Sequence, residues 1–252
     1  MPRRPKWTPG VTTPEELDAM ENETFLEWRR GVARREEEIA ARSFATHGGG
    51  SAGASVTPYE KNLHVWRQLW RVLERSAVVL QIVDARNPLF YLSEDLRTYA
   101  MDELGKPMMM IVNKSDYLTE RQRQLWSEYF TERGIDHLFF SAYDEQKKID
   151  QAATAAKNGD SVVFPDESDE TTAASFKGIS SPLSRGQLLN ALDSFAKGHG
   201  CAPDAKYDNR IQYGMVGFPN GKSSLSPSLL SLHSSHFFVH VFQLESLLSS
   251  TF

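Results

Sequence analysis

Asn113-Lys114-Ser115-Asp116 stands directly behind the apolar run Met108–Val112. An amide, an aliphatic stem and a carboxylate at this spacing can read a guanine edge, because a carboxylate accepts from two N–H donors and adenine offers no such pair. Four residues of this kind also suit an ordinary polar turn between a strand and a helix. A second short signal, Ser141-Ala142 behind Phe139 and Phe140, is independent of the first. A small pair there lets backbone N–H groups approach a base that bulky side chains would block. The third constellation is Gly217-Phe218-Pro219-Asn220-Gly221-Lys222-Ser223-Ser224. Glycines that let backbone N–H groups cradle phosphates, a lysine for the β and γ charges and a serine for Mg2+ are what a phosphate loop requires. Lys222 and Ser223 have the right adjacency, but Phe218, Pro219 and Asn220 are the only residues between the two glycines, and the phosphate-loop pattern has one more.

Such residues need strand ends to hold them. Ala77–Val83 is rich in β-formers, Met108–Val112 reads as a second buried strand, His137–Phe140 as a third and Ile211–Val216 as a fourth. Between them, Ser93–Leu104 shows a helical pattern with an N-cap residue at its start, and Thr119–Arg133 reads as a second helix with Gly134 after it. Ser184–Lys197 is a further helix with Leu188, Leu189, Leu192, Phe195 and Ala196 on one face. This alternation predicts an α/β fold: a parallel sheet with helices on both faces, whose functional residues lie at the carboxyl ends of the strands.

Upstream, residues 14–41 read as a charged helical arm with a thin apolar stripe at Phe25, Leu26, Trp28 and Val32. A Gly/Ser-rich tether at 46–57 follows, and then a helix over 59–75. In that helix Leu63, Trp66, Leu69, Trp70 and Leu73 form one face, and Arg67, Arg71 and Arg75 flank it as a candidate RNA-binding surface. Residues 144–184 lose their periodicity and carry the acidic PDESDE at 165–170, which predicts a mobile insertion with little core. The organisation expected is therefore an arm and tether over 1–57, a nucleotide domain over 58–225 and a divergent Ser/Leu-rich tail over 226–252.

The 252 residues include 28 Lys+Arg and 33 Asp+Glu, so any nucleic-acid contact must use a local basic patch. Cys201 is the only cysteine, which excludes an internal disulfide, a four-cysteine zinc site and a CxxC redox pair. No secretory signal pattern and no membrane-spanning apolar run is present, so a cytoplasmic or nuclear location is expected, with neither membrane nor DNA as partner.

The order of the three motifs carries a resemblance. In ordinary G proteins the phosphate loop precedes NKxD, whereas here NKSD, SA and GFPNGKSS follow one another in the order of the circularly permuted GTPases. DARNP at 84–88, RRPKW at 3–7, FLEWRR at 25–30 and YEKNLHVWRQLWRVLERS at 59–76 are similar to the eukaryotic branch of that family that acts in large ribosomal subunit assembly. The resemblance implies a P-loop GTPase-like domain that binds GTP or GDP with Mg2+. Asn113, Lys114 and Asp116 would hold guanine, with Ser141 and Ala142 closing over it. Gly217, Asn220, Gly221, Lys222 and Ser223 would take phosphates, Ser223 would also bind Mg2+, and Ser224 would lie nearby. It also implies the large (60S) ribosomal subunit and its assembly factors as partners, with ribosomal RNA as a further one, and GTP hydrolysis coupled to factor release.

The chain departs from the family pattern GxPNVGKSS by lacking a residue between Asn220 and Gly221. After Leu225 the likeness stops, and neither a switch threonine nor a DxxG element follows, so no catalytic residue is identifiable. These departures predict a G domain that is incomplete at its C-terminus, a loosely packed tail and a fourth strand with an open edge. They leave open an alternative, a catalytically inactive truncated fragment that at most binds ribosomal RNA or protein.

Overall fold

The computed structural model describes residues 1–47, 59–157, 179–207, 209–217 and 237–243, divided between two compact units that meet in sequence at Trp70 and Arg71.

In the first unit, Pro14–His47 form one long helix, α1. Thr13 opens it: its hydroxyl accepts from Glu16 N–H while the Glu16 carboxylate accepts from Thr13 N–H, the reciprocal arrangement of a capping box. Of the stripe expected on this helix, Trp28 and Val32 are half-buried, but Leu26 is 46% exposed. Phe25 is buried, and the Trp28 ring meets Trp66 edge-on at 5.5 Å and Tyr59 at 5.3 Å. Trp66 belongs to α2 (Leu63–Arg75), which begins in this unit. Trp70, fully buried, donates its indole N–H to Pro2 O at 3.1 Å.

Charge organises the same unit. The Glu21 side chain, only 6% exposed, takes two bonds on Oε1 from Arg4 (3.0 and 2.8 Å) and one on Oε2 from Arg67 (2.7 Å). Arg67 also reaches Asp18 at 2.5 Å and is itself 14% exposed. Arg67 therefore does not belong to the open basic face that its helical position suggested; a buried carboxylate draws it inward, leaving Arg71 and Arg75 exposed.

The second unit is built on five parallel strands: β1 (Val78–Asp84), β2 (Met108–Asn113), β3 (His137–Phe139), β4 (Ile211–Gly217) and β5 (Phe237–Gln243), in the order β3-β2-β1-β4-β5. Every residue of β1 to β4 is buried, as expected of a sheet covered on both faces. Alternation sorts the side chains. Leu80, Ile82, Met109, Ile111 and Leu138 pack on one face with Leu188, Ala191 and Leu192 of α7 (Arg185–Gly198). Val83, Met110, Val112 and Phe139 pack on the other with Phe130 of α5 (Glu120–Glu132). Both helices start in capping boxes, Thr119 with Gln122 and Ser184 with Gln187.

Between β1 and β2 a short helix α3 (Pro88–Tyr91) precedes α4 (Glu94–Arg97), whose N-cap Ser93 accepts from Leu96 N–H; a π-helical turn over Thr98–Glu103 continues it.

Two expectations are corrected here. The segment after Ser141 does not lose its structure at 144: α6 runs over Ala142–Lys157, started by Asp144 N–H donating to Ser141 Oγ at 3.2 Å and carried on by alanine-rich sequence. PDESDE lies outside the described residues. The tail does not leave β4 open, because Phe237–Gln243 pairs with it in parallel from Ile211↔Phe237 to Gly217↔Gln243. The run FFVHVFQ consists largely of β-branched and aromatic residues, which suit a strand, and an uncovered β4 edge is a template for such a partner.

Close packing sets two further positions. A Cβ on Gly214 would lie 2.1 Å from Ser76 Oγ, so only glycine lets β4 pass beneath the end of α2. At that end the Lys106 ammonium donates to three terminal carbonyls, Leu73 O, Glu74 O at 2.8 Å and Ser76 O at 2.6 Å, and so caps the helix. Lys106→Met keeps the stem and removes the donors. We expect it to lower stability by about 2–4 kcal/mol, as measured by urea unfolding, because Leu73 and Ser76 are buried and an unsatisfied buried acceptor costs about 1–3 kcal/mol.

Among the described residues no helix is long and apolar enough to cross a membrane.

Candidate functional site

The strand order places the site. From β1 the chain moves one way along the sheet to β2 and β3, then crosses back to β4 on the other side of β1. The order reverses between β1 and β4, and a reversal of this kind opens a crevice at the carboxyl ends of the strands, where α/β sheets bind ligands. The register brings Asp84 of β1 level with Asn113 of β2, and Val112 level with Phe139, just before Ser141-Ala142. At the end of β4, Gly217 lies opposite Ile82; a Cβ there would come within 2.8 Å of Ile82 O, so this close approach also requires glycine.

Hydrogen bonds join these strand ends into one assembly. Asn113, fully buried, accepts through Oδ1 from Lys114 N–H at 2.8 Å and from Ala142 N–H at 3.2 Å. Its carbonyl also accepts from Ala85 N–H at 2.9 Å, and Ser115 N–H donates to Phe140 O at 3.1 Å. Three strand termini are thus held together by the backbone around one amide side chain. Lys114 has φ 62°, and this left-handed residue turns the chain out of β2 into a short 3-10 turn over Ser115–Tyr117. Asp116 on that turn is exposed, and its Oδ1 accepts from Ser141 Oγ at 2.7 Å. Ser141 Oγ in turn accepts from Asp144 N–H, so the hydroxyl both starts α6 and orients the acid.

The structure thus brings Asn113, Lys114, Asp116, Ser141 and Ala142 into one assembly. Asn113 is a staple between loops: its amide oxygen is engaged within the protein, and Asp116 is the side chain presented outward. Gly217 stands at the end of β4. Asn220, Gly221, Lys222, Ser223 and Ser224 lie outside the described residues, and with them the residue named for Mg2+.

Sequence reasoning missed one residue pair. Asp84, with no exposed surface, binds the guanidinium of Arg86 through Oδ1 at 3.0 Å and Oδ2 at 2.6 Å, and Lys114 Nζ reaches Oδ2 at 3.0 Å. Burial alone would raise the pKa of this carboxyl, but hydrogen bonds from Arg86 and Lys114 outweigh it and hold the group at about 2. The available signal was an acid closing a mostly apolar strand, VVLQIVD, beside the strand that carries NKSD.

No family model matches the chain. Among characterised proteins, it is 42% identical to Large subunit GTPase 1 of Schizosaccharomyces pombe over 239 residues, which cover 91% of this chain and 35% of that protein. It is 50% identical to the Large subunit GTPase 1 homolog of Drosophila melanogaster over 156 residues, 61% of this chain and 23% of that one. The chain spans less than half the length of these relatives. Among solved structures, GNP-bound YlqF from T. maritima aligns over 73% of this chain and 60% of that chain, with 15% identity and a TM-score of 0.37. A likeness that low carries no weight here, and the fold rests on the sheet itself. With the identities above, the chain is a homologue of the eukaryotic Large subunit GTPase 1 proteins.

Proposed function

We propose that this chain binds guanine nucleotides at the carboxyl ends of β1 to β4 and acts in large ribosomal subunit assembly, in the cytoplasm or the nucleus. The observation that carries the nucleotide reading is the Asp116 carboxylate, exposed, oriented by Ser141 and set beside the Asn113 staple. A fixed carboxylate facing outward accepts the two N–H donors of a guanine edge and repels the acceptor-bearing edge of adenine. The Lys114 stem provides an apolar surface for the ring. The phosphates and Mg2+ fall to Gly217–Ser224, with Lys222 and Ser223 in the roles that the family resemblance gives them. The ribosomal part of the reading is supported by the relatives' name and by their identity to this chain.

The test is fluorescent GDP binding with Mg2+, competed with GTP and ATP, on this chain and on a version with Val inserted between Asn220 and Gly221. We expect GTP to compete and ATP not to, with tighter binding by the inserted version, because a loop one residue short misdirects its N–H groups. Equal competition by ATP overturns the guanine assignment. The same short loop supports a second reading, an inactive fragment that at most binds ribosomal RNA or protein. Single-turnover GTP hydrolysis that Lys222→Ala abolishes would refute it.

A further inference from the structure

Asp84 is a fully buried carboxylate that the nucleotide reading does not use, and it touches the loop that reading depends on. We propose that Asp84 is a positioning residue for guanine recognition: it clamps the Lys114 ammonium and thereby holds that side chain's methylene stem in place beneath the base. The inference rests on the reading of residues 113–116 as the guanine loop.

Three observations carry it. Arg86 alone meets the carboxylate's need for a counter-charge, with Nε at 3.0 Å from Oδ1 and 3.2 Å from Oδ2, Nη2 at 2.6 Å from Oδ2, and the Arg86 N–H at 3.0 Å from Oδ1. Lys114 is therefore a second cation on an acid that already has a matched partner, and it comes from the neighbouring strand's exit. Next, Lys114 sits at φ 62°, the left-handed backbone that L side chains rarely adopt, and its side chain is still 22% exposed. The bond to Asp84 fixes an ammonium that also has access to water, and with it the direction of the stem. Finally, the Arg86 guanidinium, half exposed, lies over the Tyr117 ring at 5.6 Å. One buried carboxylate thus braces both flanks of Asp116, through Lys114 on one side and through Arg86 and Tyr117 on the other.

A free lysine must give up much of its rotamer freedom when a base settles on its stem, whereas a clamped one has given it up before the ligand arrives. Losing the clamp should therefore weaken binding by about tenfold, or about 1.4 kcal/mol.

The experiment is a double-mutant cycle on GDP affinity with Asp84→Asn, Lys114→Met and the pair, in this chain and in the version carrying the inserted Val. Melting temperatures without nucleotide are recorded alongside. We expect each single variant to bind about tenfold more weakly and the double variant to bind no more weakly than either. Losses that multiply would show that Asp84 acts through general packing, which overturns the proposal. If Asp84→Asn does not fold, Lys114→Met decides alone: it keeps the stem and loses the clamp, so affinity equal to wild type overturns the inference. Guanine binding that is present and indifferent to Asp84→Asn overturns this inference only, while failure of both parent chains to bind GDP overturns the guanine site and this inference with it.

Discussion

Asp116→Ala is expected to weaken GDP binding by at least about 100-fold, since each hydrogen bond from a base to a charged acceptor is worth about 1.5–3 kcal/mol and a guanine edge offers two. The loss should fall on the base and not on the phosphates, so discrimination of GTP over ATP should collapse along with affinity. The fold should be little affected. Asp116 is exposed, and Ser141 Oγ keeps its bond from Asp144 N–H when the acid is removed. Titration of fluorescent GDP with both competitors, beside a thermal melt, separates the two effects. A variant that still prefers GTP over ATP would mean that the outward carboxylate does not read the base.

Glu21→Ala is expected to cost the N-terminal unit about 3–5 kcal/mol, the penalty for removing one partner of a buried ion pair. Arg4 and Arg67 converge on this one carboxylate with side chains 9% and 14% exposed, so its loss takes from each a charged bond made largely out of water. Arg67 retains Asp18 at 2.5 Å, which is 60% exposed and screened by solvent, and this compensates little. The measurement is urea unfolding followed by tryptophan fluorescence, since Trp28, Trp66 and Trp70 all belong to this unit. Stability within about 0.5 kcal/mol of wild type would show that the triad contributes no more than a surface pair. Glu21→Gln keeps the shape and should lose nearly as much, because the charge is what the two arginines require.

Much of the fold could be read from sequence because the signals are local. A run such as Met108–Val112 is apolar on both faces and too short for a helix of the core, and the observed strand adds only Asn113. Thr119 with Gln122 and Ser184 with Gln187 announce their helices within four residues, and both boxes form as the spacing requires. NKSD and SA sit at strand ends for the same reason. The misreadings arise where context outweighs local pattern. An alanine-rich stretch reads as featureless until Ser141 starts it as α6, and FFVHVFQ reads as an arbitrary tail until β4 offers it an edge.

The sequence by itself determined the order of β1 to β4 with α5 and α7 among them, the permuted sequence of motifs and the residue types at each strand's exit, because periodicity and turn chemistry act over a few residues. Only the tertiary structure decided that Asp84 answers Lys114 thirty positions away, that Arg67 turns inward to Glu21, and that Asn113 staples three strand ends. Those pairings follow from strand register and helix packing, which set two distant side chains a hydrogen bond apart and leave no mark on the spacing of either.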